Sequence, residues 1–423
     1  MTIEDRNGKT IDVRGPAAQR WGRRSLAVRR PMGGIIALMA SLGFVRVISA
    51  QCHYEVIVLD TPDCNDGSTM GFGGAAITDD GIIVGGAGCV FGPNAAGLWT
   101  GGTVQLLPNP GGYDNAEAED VNEFMQIVGW APLTGSNKPR AVIWEGGVPM
   151  LLPPPPEGTL SFAWAINDSG AIVGTWGNSA LGPGSAAAMW IDGQLIGNLH
   201  GDLQTYESAA TDINDDGQVT GWMGQTGLFD GHAYIWDDGS VIDLGVIPGG
   251  YTAEAQAINE GGHVVGFGRV KQEGYQFGVL RAFYWDGTQM INLGSLPGHD
   301  NSRANALNDI GQIVGSSGDP GAAAFLWQHG VMHNLSQLMT PGFESFDNPT
   351  SINNRGEIVF SNGRILVRPI DSPLGDIDKN CIVNVVDLLM LLGEWGNDGS
   401  FADTNDDGLV NVTDLLQVLA DWG

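Results

Sequence analysis

Along most of the chain, apolar and polar positions alternate with a period of two, break at a short polar turn, and resume as a β-branched run. Ala255-Gln256-Ala257-Ile258-Asn259-Glu260-Gly261-Gly262-His263-Val264-Val265-Gly266 shows the pattern. Period-two alternation predicts strands, and the Asn-x-x-Gly between them predicts a tight hairpin. Asn can bond its own backbone two residues on, and Gly at the fourth corner supplies a left-handed backbone. The pattern recurs. Aligned on Asn, its copies fall at Thr78, Asn122, Asn167, Asn214, Asn259, Asn308 and Asn353, with gaps of 44, 45, 47, 45, 49 and 45 residues. Two copies depart from the rule, with Thr78 for Asn and Met125 for the turn Gly, so strained or rebuilt turns are expected there.

A second apolar pair follows each hairpin, as in Ala233-Tyr234-Ile235-Trp236 through Leu244. Its tryptophans stand at 99, 144, 190, 236, 285 and 327, spaced 45, 46, 46, 49 and 42. Four short strands per mid-forties repeat, without helical signals, predict the blades of a β-propeller. The recurring tryptophans are expected to pack between neighbouring sheets.

The two ends of the repeat region are offset. The strand Tyr54–Leu59 precedes the first hairpin and looks like a last strand. The seventh copy has its hairpin, Ile352–Phe360, and a third strand, Ile365–Val367, but no fourth. Closure of a seven-bladed ring by Tyr54–Leu59 follows, and it removes two exposed sheet edges. The predicted fold is therefore all-β, a seven-bladed propeller over 51–370 closed by its N-terminal strand, with a small helical module over 371–423. Leu152-Pro153-Pro154-Pro155-Pro156-Glu157 reads as a stiff connection crossing a blade edge.

Charge changes the picture at the N-terminus. The first fifty residues hold nine Lys/Arg and three acids, then the uncharged run Gly33–Val45 and Ser49-Ala50. This predicts an export signal over 1–50, its apolar run of 13 residues being too short to span a bilayer. Arg23-Arg24-Ser25-Leu26 is similar to a twin-arginine signal, and an ordinary basic leader accounts for it equally; Met32 is an alternative start. Without the leader, ten Lys/Arg face 45 Asp/Glu, a formal charge of −35 against −29 for the whole chain. Such a surface repels phosphate backbones and anionic membranes and favours divalent cations. An exported chain can oxidise its cysteines, and either Cys52–Cys64 or Cys64–Cys89 would staple the first blade.

Two 12-residue segments after the repeats carry oxygen side chains at positions 1, 3, 5, 9 and 12. The first has Asp376, Asp378, Asn380, Asn384 and Asp387, with the carbonyl of Ile382 at position 7. The second, 27 residues on, has Asp403, Asn405, Asp407, Asn411 and Asp414, with the carbonyl of Leu409. That spacing wraps a hard cation wanting six to eight oxygens, so two calcium ions are expected. The second site is expected to be the stronger, because Cys381 replaces the turn Gly of the first loop. A helix should follow each loop, over Leu388–Trp395 and Leu415–Trp422, with Leu388, Leu391 and Leu392 matched by Leu415, Val418 and Leu419 on one face. Asp212-Ile213-Asn214-Asp215-Asp216-Gly217 mimics half of such a loop, but Met223 at its twelfth position cannot coordinate, so it reads as turn chemistry.

The two loops, each with only its exiting helix (a duplicated F-hand), resemble type I dockerin domains over 374–423. The resemblance implies calcium-dependent folding and docking to a cohesin-like or cell-surface protein. At the positions that carry dockerin recognition stand Val385-Val386 and Val412-Thr413, more apolar than in cellulosomal members. The repeats, with His232-Ala233-Tyr234, Arg281-Ala282-Phe283 and Ala323-Ala324-Phe325, resemble the HAF family of bacterial extracellular repeats over 54–367. That resemblance implies an extracellular repeat protein and no particular activity.

The chain holds no His-Glu-x-x-His, Gly-x-Ser-x-Gly or phosphate loop. Its seven histidines show no ligand spacing; His232 reads as a strand start and His299-Asp300 as the most exposed candidate. Trp130, Trp176 and Trp222, near successive hairpin glycines, suggest a structural slot or a sugar platform. Two readings follow: a secreted binding or scaffold propeller attached through its C-terminal module, or a polysaccharide hydrolase or lyase using carboxylates at the ring's mouth. Carboxylates flanked by aromatics would favour the enzyme, and a mouth of Gly and small apolar residues the scaffold.

Overall fold

The computed structural model describes residues 2–4, 10–12, 53–64, 69–89, 94–135, 138–153, 160–177, 184–199, 206–225, 230–318, 322–339, 348–361, 364–370, 375–377, 383, 385–397, 400, 402–405 and 408–422. In the leader, Thr2–Glu4 pairs antiparallel with Thr10–Asp12; the apolar run Gly33–Val45, Cys52 and the proline run 154–157 lie outside the described residues.

Among the described residues, the rest of the chain up to Ile370 forms seven four-stranded antiparallel sheets, each a simple meander except the last. Blades 1 to 6 span 71–106, 117–151, 160–198, 206–245, 254–294 and 302–334. Blade 7 takes three strands from 349–370 and its fourth from His53–Val58, which pairs antiparallel with Ile365–Ile370. The predicted closure is thus present. The third strand runs three residues past Val367 because the closing strand gives it a partner along its whole length. Cys64 and Cys89 form the disulfide that staples the first blade, with Cα atoms 6.0 Å apart.

Seven apolar cores fill the ring, one at each seam between neighbouring blades. Burial on both faces is what the short β-branched runs require. The repeated tryptophans belong to these seams. Trp144 and Trp190 are fully buried, and their indole N–H groups donate to the carbonyls of Pro108 and Pro153. Trp99, Trp236, Trp285 and Trp327 are partly buried against the seam cores.

The hairpins close as three-residue loops with a left-handed residue at the fourth corner. Gly262 has φ 73°, and Met125, the residue that departs from the rule, holds φ 61° in the same place. A non-glycine residue there carries a cost of about 1 kcal/mol. Each first strand has a β-bulge just before the turn, so that Glu119, Trp164, Thr211, Gln256, Asn305 and Thr350 are the extra residues of blades 2 to 7. Bulges re-aim side chains and sharpen twist.

In the C-terminal segment the helices are α1, Val385–Gly393, and α2, Val412–Ala420. Both begin three residues before the expected starts. Asn411 and Asp414 form a capping box, so the end of the loop is already the first helical turn. Ile377, Val383, Leu391, Ala402, Val410 and Val418 make a small core, with Leu388, Met390 and Leu415 at its edge. Leu392 and Leu419, expected on that inner face, are 49% and 51% exposed.

Candidate functional site

The ring has two mouths, and their chemistry differs. At the first, the turn asparagines do more than shape their own hairpins. In each blade from the second to the seventh, the Asn Oδ1 accepts the backbone N–H four residues on, as Asn214 does from Gln218. The Nδ2 then donates to the backbone carbonyl of the matching residue in the next blade, at 2.9–3.1 Å, from Asn122 round to Asn353, which reaches Thr78. An aspartate would lack the donor. A second belt lies outside it. The backbone N–H of Asp79, Glu123, Asp168, Asp215, Glu260, Asp309 and Asn354 each donates to the side chain of the next member, at 2.8–3.2 Å, and the belt closes on itself. Six carboxylates and one amide therefore rim a cavity of about 600 Å³. Desolvation, with the charges of Asp215, Asp309 and Asp216, pushes Glu260 up to about 7. Because the outer belt repeats in all seven blades and the inner one in six, this mouth is architecture.

At the second mouth, where the innermost strands begin, the blades differ. The residues five before each turn position are Gly73, Glu117, Phe162, Ala209, Glu254, Arg303 and Asn348, of which Phe162 and Ala209 are buried. Phe162 stacks on Trp164 with centroids 5.1 Å apart and 6° between planes, and Trp130 meets Phe162 edge-on at 5.6 Å. The Trp130 indole donates to Glu119 Oε1 at 2.8 Å, and the Trp164 indole to Thr175 Oγ1 at 2.9 Å. Beside Glu117 and Glu119, the glycine-rich strands of blade 1 leave a groove of about 650 Å³ that reaches Thr350 and Ser361 of blade 7. Desolvation raises Glu119 to about 7, the Trp130 hydrogen bond opposing and the Glu117 charge adding; desolvation also raises Glu117. A carboxyl poised near neutrality can hold or release a proton.

Between the mouths, Asp120 and Asp212 line the channel and accept the N–H groups of Ile166 and Ile258 in the following blades. Desolvation pushes Asp120 to about 8, helped by the Asp212 charge, and Asp212 to about 7. Asp212 is therefore a channel residue, while Asn214 and Gly217 supply the turn chemistry expected of its segment.

These shifts fix a pH dependence. Glu119, Asp120, Asp212 and Glu260 keep protons in the folded ring at pH values where the unfolded chain has released them. Their stabilisation is therefore complete below the unfolded values near 4 and is lost as pH rises through 7 to 8. Thermal unfolding at fixed calcium is expected at a lower temperature at pH 8.5 than at pH 5.5. The difference should shrink in Asp120→Asn, and a melting temperature that does not fall with pH would contradict the assignment.

Among the described residues the histidines do not assemble a site. His232 begins its strand and pairs with Asp243 at 3.0 Å, both side chains exposed. His299 is half-buried in a turn, 3.3 Å from Ser317 Oγ, and is not the exposed group its sequence context suggests. Trp130 and Trp222 share one register, opposite Glu117 and Ala209, but Trp176 lies one residue further along and faces the other way, into the core between blades 2 and 3. There is no common tryptophan slot.

In the C-terminal loops, Asp378, Asn380, Ile382, Asn384 and Asp407 lie outside the described residues. The remaining candidates keep the duplication. Asp376, Asp387 and Asp414 are fully buried, and the position-12 carboxylates Asp387 and Asp414 accept the N–H groups of Ile377 and Thr404 at 2.8 Å. Asp403 Oδ2 accepts the N–H of Gly408, and Asn411 caps α2. Among the described residues no three His, Cys, Asp or Glu side chains converge as a preformed metal cluster. The donor set is nonetheless all oxygen, and carboxylates buried in so small a segment fit a hard cation. The outward faces of the helices repeat the duplication as well: Val385, Leu389 and Leu392 on one, Val412, Leu416 and Leu419 on the other, all 49–62% exposed.

No family model and no curated protein matches the chain. Among solved structures it is similar to YCF48 bound to D1 peptide (14% identity, TM-score 0.40, covering 75% of this chain and 96% of that one). It is also similar to the β-propeller domain of the Trilobed protease from Pyrococcus furiosus, whose topology is an open velcro (8%, 0.46, 71% and 93%). A third is TolB from Acinetobacter baumannii (11%, 0.37, 69% and 64%). At these identities the likeness is one of fold alone. Among the described residues no helix is long and apolar enough to cross a membrane.

Proposed function

We propose that the protein is an exported polysaccharide-binding propeller, held to a cohesin-like or cell-surface partner by its calcium-dependent C-terminal module. One observation carries the glycan reading: at the second mouth Trp164 stacks on the buried Phe162, and Trp130, edge-on to that ring, donates to Glu119, which with Glu117 lines an open glycine-rich groove. Flat aromatic faces suit the apolar faces of sugar rings, and fixed carboxylates suit their hydroxyls. The outward apolar stripes of α1 and α2 support the docking role, since they form patches that water would otherwise cover. Two calcium ions would be held by Asp376, Asp378, Asn380, Ile382, Asn384 and Asp387, and by Asp403, Asn405, Asp407, Leu409, Asn411 and Asp414. The second would be held more tightly.

A second reading, hydrolysis or lysis of the bound glycan, is favoured by Glu119, which stays protonated to about 7 beside a second carboxylate. One screen separates the two. The whole chain is titrated with neutral and acidic oligosaccharides, with calcium and with chelator, scoring binding and released product. Binding without product is expected, lost by more than tenfold in Trp164→Ala. Product abolished by Glu119→Gln would establish the enzyme, and absence of any binding would defeat the glycan reading. In the same samples chelator should lower helix content, with Asp403→Ala costing more than Asp376→Ala.

A further inference from the structure

We infer that the second mouth carries a carboxylate-binding subsite at Arg303, and that the glycan it takes is an acidic one bearing uronate groups; this rests on the glycan reading above. The inference begins from scarcity. A chain of net charge −29 repels acidic ligands, so any acidic glycan must be met by a local concentration of positive charge. Arg269, Arg281 and Arg303 supply it on blades 5 and 6.

The three arginines are not equivalent. Arg269 donates to the carbonyl of Phe277, and Arg281 to the carbonyl of Leu280 and to Gln272. Their donors are at least partly spent on framing the 271–278 loop. Arg303 is exposed, and among the described residues it makes neither a hydrogen bond nor an ion pair. Its one specific contact is with an aromatic face, the guanidinium carbon lying 4.4 Å from the centroid of Phe267. That contact orients the guanidinium and leaves its N–H groups unspent. A guanidinium with open donors matches a carboxylate in a two-point fork, which no sugar hydroxyl can fill as well.

The space beside it fits. A cavity of about 200 Å³ is lined by Leu280, Asn301, Ser302, Arg303, Ser316 and Gly318. It holds several non-hydrogen atoms, given a share of about 30 Å³ for one water. Glu254 is the carboxylate that feels the charge of Arg303. Desolvation raises its pKa while Arg303 and Arg269 lower it, and no ion pair joins it to Arg303. Arg303 is thus poised for an anion from outside. The stacked aromatics at the same mouth favour a sugar polymer over an acidic peptide.

The test is calorimetric titration of the whole chain with oligogalacturonate and with a neutral β-glucan oligomer of equal length. The acidic oligomer should bind at least tenfold more tightly at low salt, and that preference should fall as salt rises. Arg303→Gln should remove the preference with an unchanged melting temperature. Arg303→Lys should restore only part of it, and Phe267→Leu, which keeps the charge but removes its support, should weaken it. Equal affinity for both oligomers, or an unchanged preference in Arg303→Gln, would overturn the subsite while leaving the glycan reading intact. Failure to bind either oligomer would overturn both.

Discussion

Replacing Trp144 by alanine is expected to cost the propeller about 3–5 kcal/mol. The side chain has no exposed surface and lies in the core shared by blades 1 and 2, among Ala76, Val84, Ala96, Ala118 and Val142. Five of the ten other buried residues of that core are alanines, too short to swing into the vacated volume, so a cavity remains. The carbonyl of Pro108 also loses its donor, at 2.8 Å, where the chain crosses from one blade to the next. Against a total stability of about 5–15 kcal/mol, the loss is a large fraction. Trp236, at the edge of its seam and partly exposed, should cost clearly less. Equilibrium denaturation of both variants is the measurement. A loss under about 1 kcal/mol for Trp144→Ala would mean that the seam collapses around the gap.

The second large effect belongs to Gly266, and it reverses the usual expectation about glycines. Gly262 is the one with positive φ, 73°, yet alanine there should cost only about 1 kcal/mol, since it meets nothing nearer than the end of the Gln218 side chain at 3.1 Å. Gly266 has an ordinary backbone, but a Cβ there would stand 2.0 Å from the carbonyl oxygen of Glu254 and 2.9 Å from Ala255 Cα. Those atoms belong to the backbone of the bulged strand and cannot turn aside. Gly266→Ala is therefore expected to lose about 1–3 kcal/mol or more by overpacking. Comparing the two variants by thermal unfolding tests the ordering; an equal or smaller effect at Gly266 would contradict it. The same close approach recurs at Gly85, Gly129, Gly174, Gly221 and Gly315, each 1.9–2.0 Å from a first-strand carbonyl. In blades 1 to 6 the glycine that ends the hairpin pattern leaves room for that carbonyl, whereas blade 7 keeps its bulge with Phe360 at the same place.

The period, the blade count and the closing strand were legible in the sequence because they rest on spacing. Ile352–Phe360 and Tyr54–Leu59 reveal an unfinished sheet and its completion without any three-dimensional knowledge. The bulge was not legible. Its extra residue moves Glu119 and Trp164 out of the simple alternation, so their convergence on the second mouth leaves no mark in the pattern. The role of the asparagines was half legible: the turn follows from Asn-x-x-Gly, but the donation from Nδ2 to the next blade requires knowing that blades stand side by side. Trp130, Trp176 and Trp222 looked alike because distance from a glycine was counted without its parity, and one residue is a full reversal of face on a strand. Arg303 gave no signal at all, since an unspent donor is a statement about neighbours.

The inner belt of amides also bears on how the ring would come apart. Thr78 has no amide nitrogen to hand on to Asn122, so the belt joins six of the seven seams and leaves blades 1 and 2 without that link. A circular chain of contacts in series breathes at its slackest joint. In the inner belt the open joint is not where the chain ends meet, which full strand pairing secures, but one blade further on. It lies across the ring's thickness from the groove beside Glu117 and Glu119. A long polymer pressing into that groove would therefore lean on the one seam that the inner belt leaves unlinked.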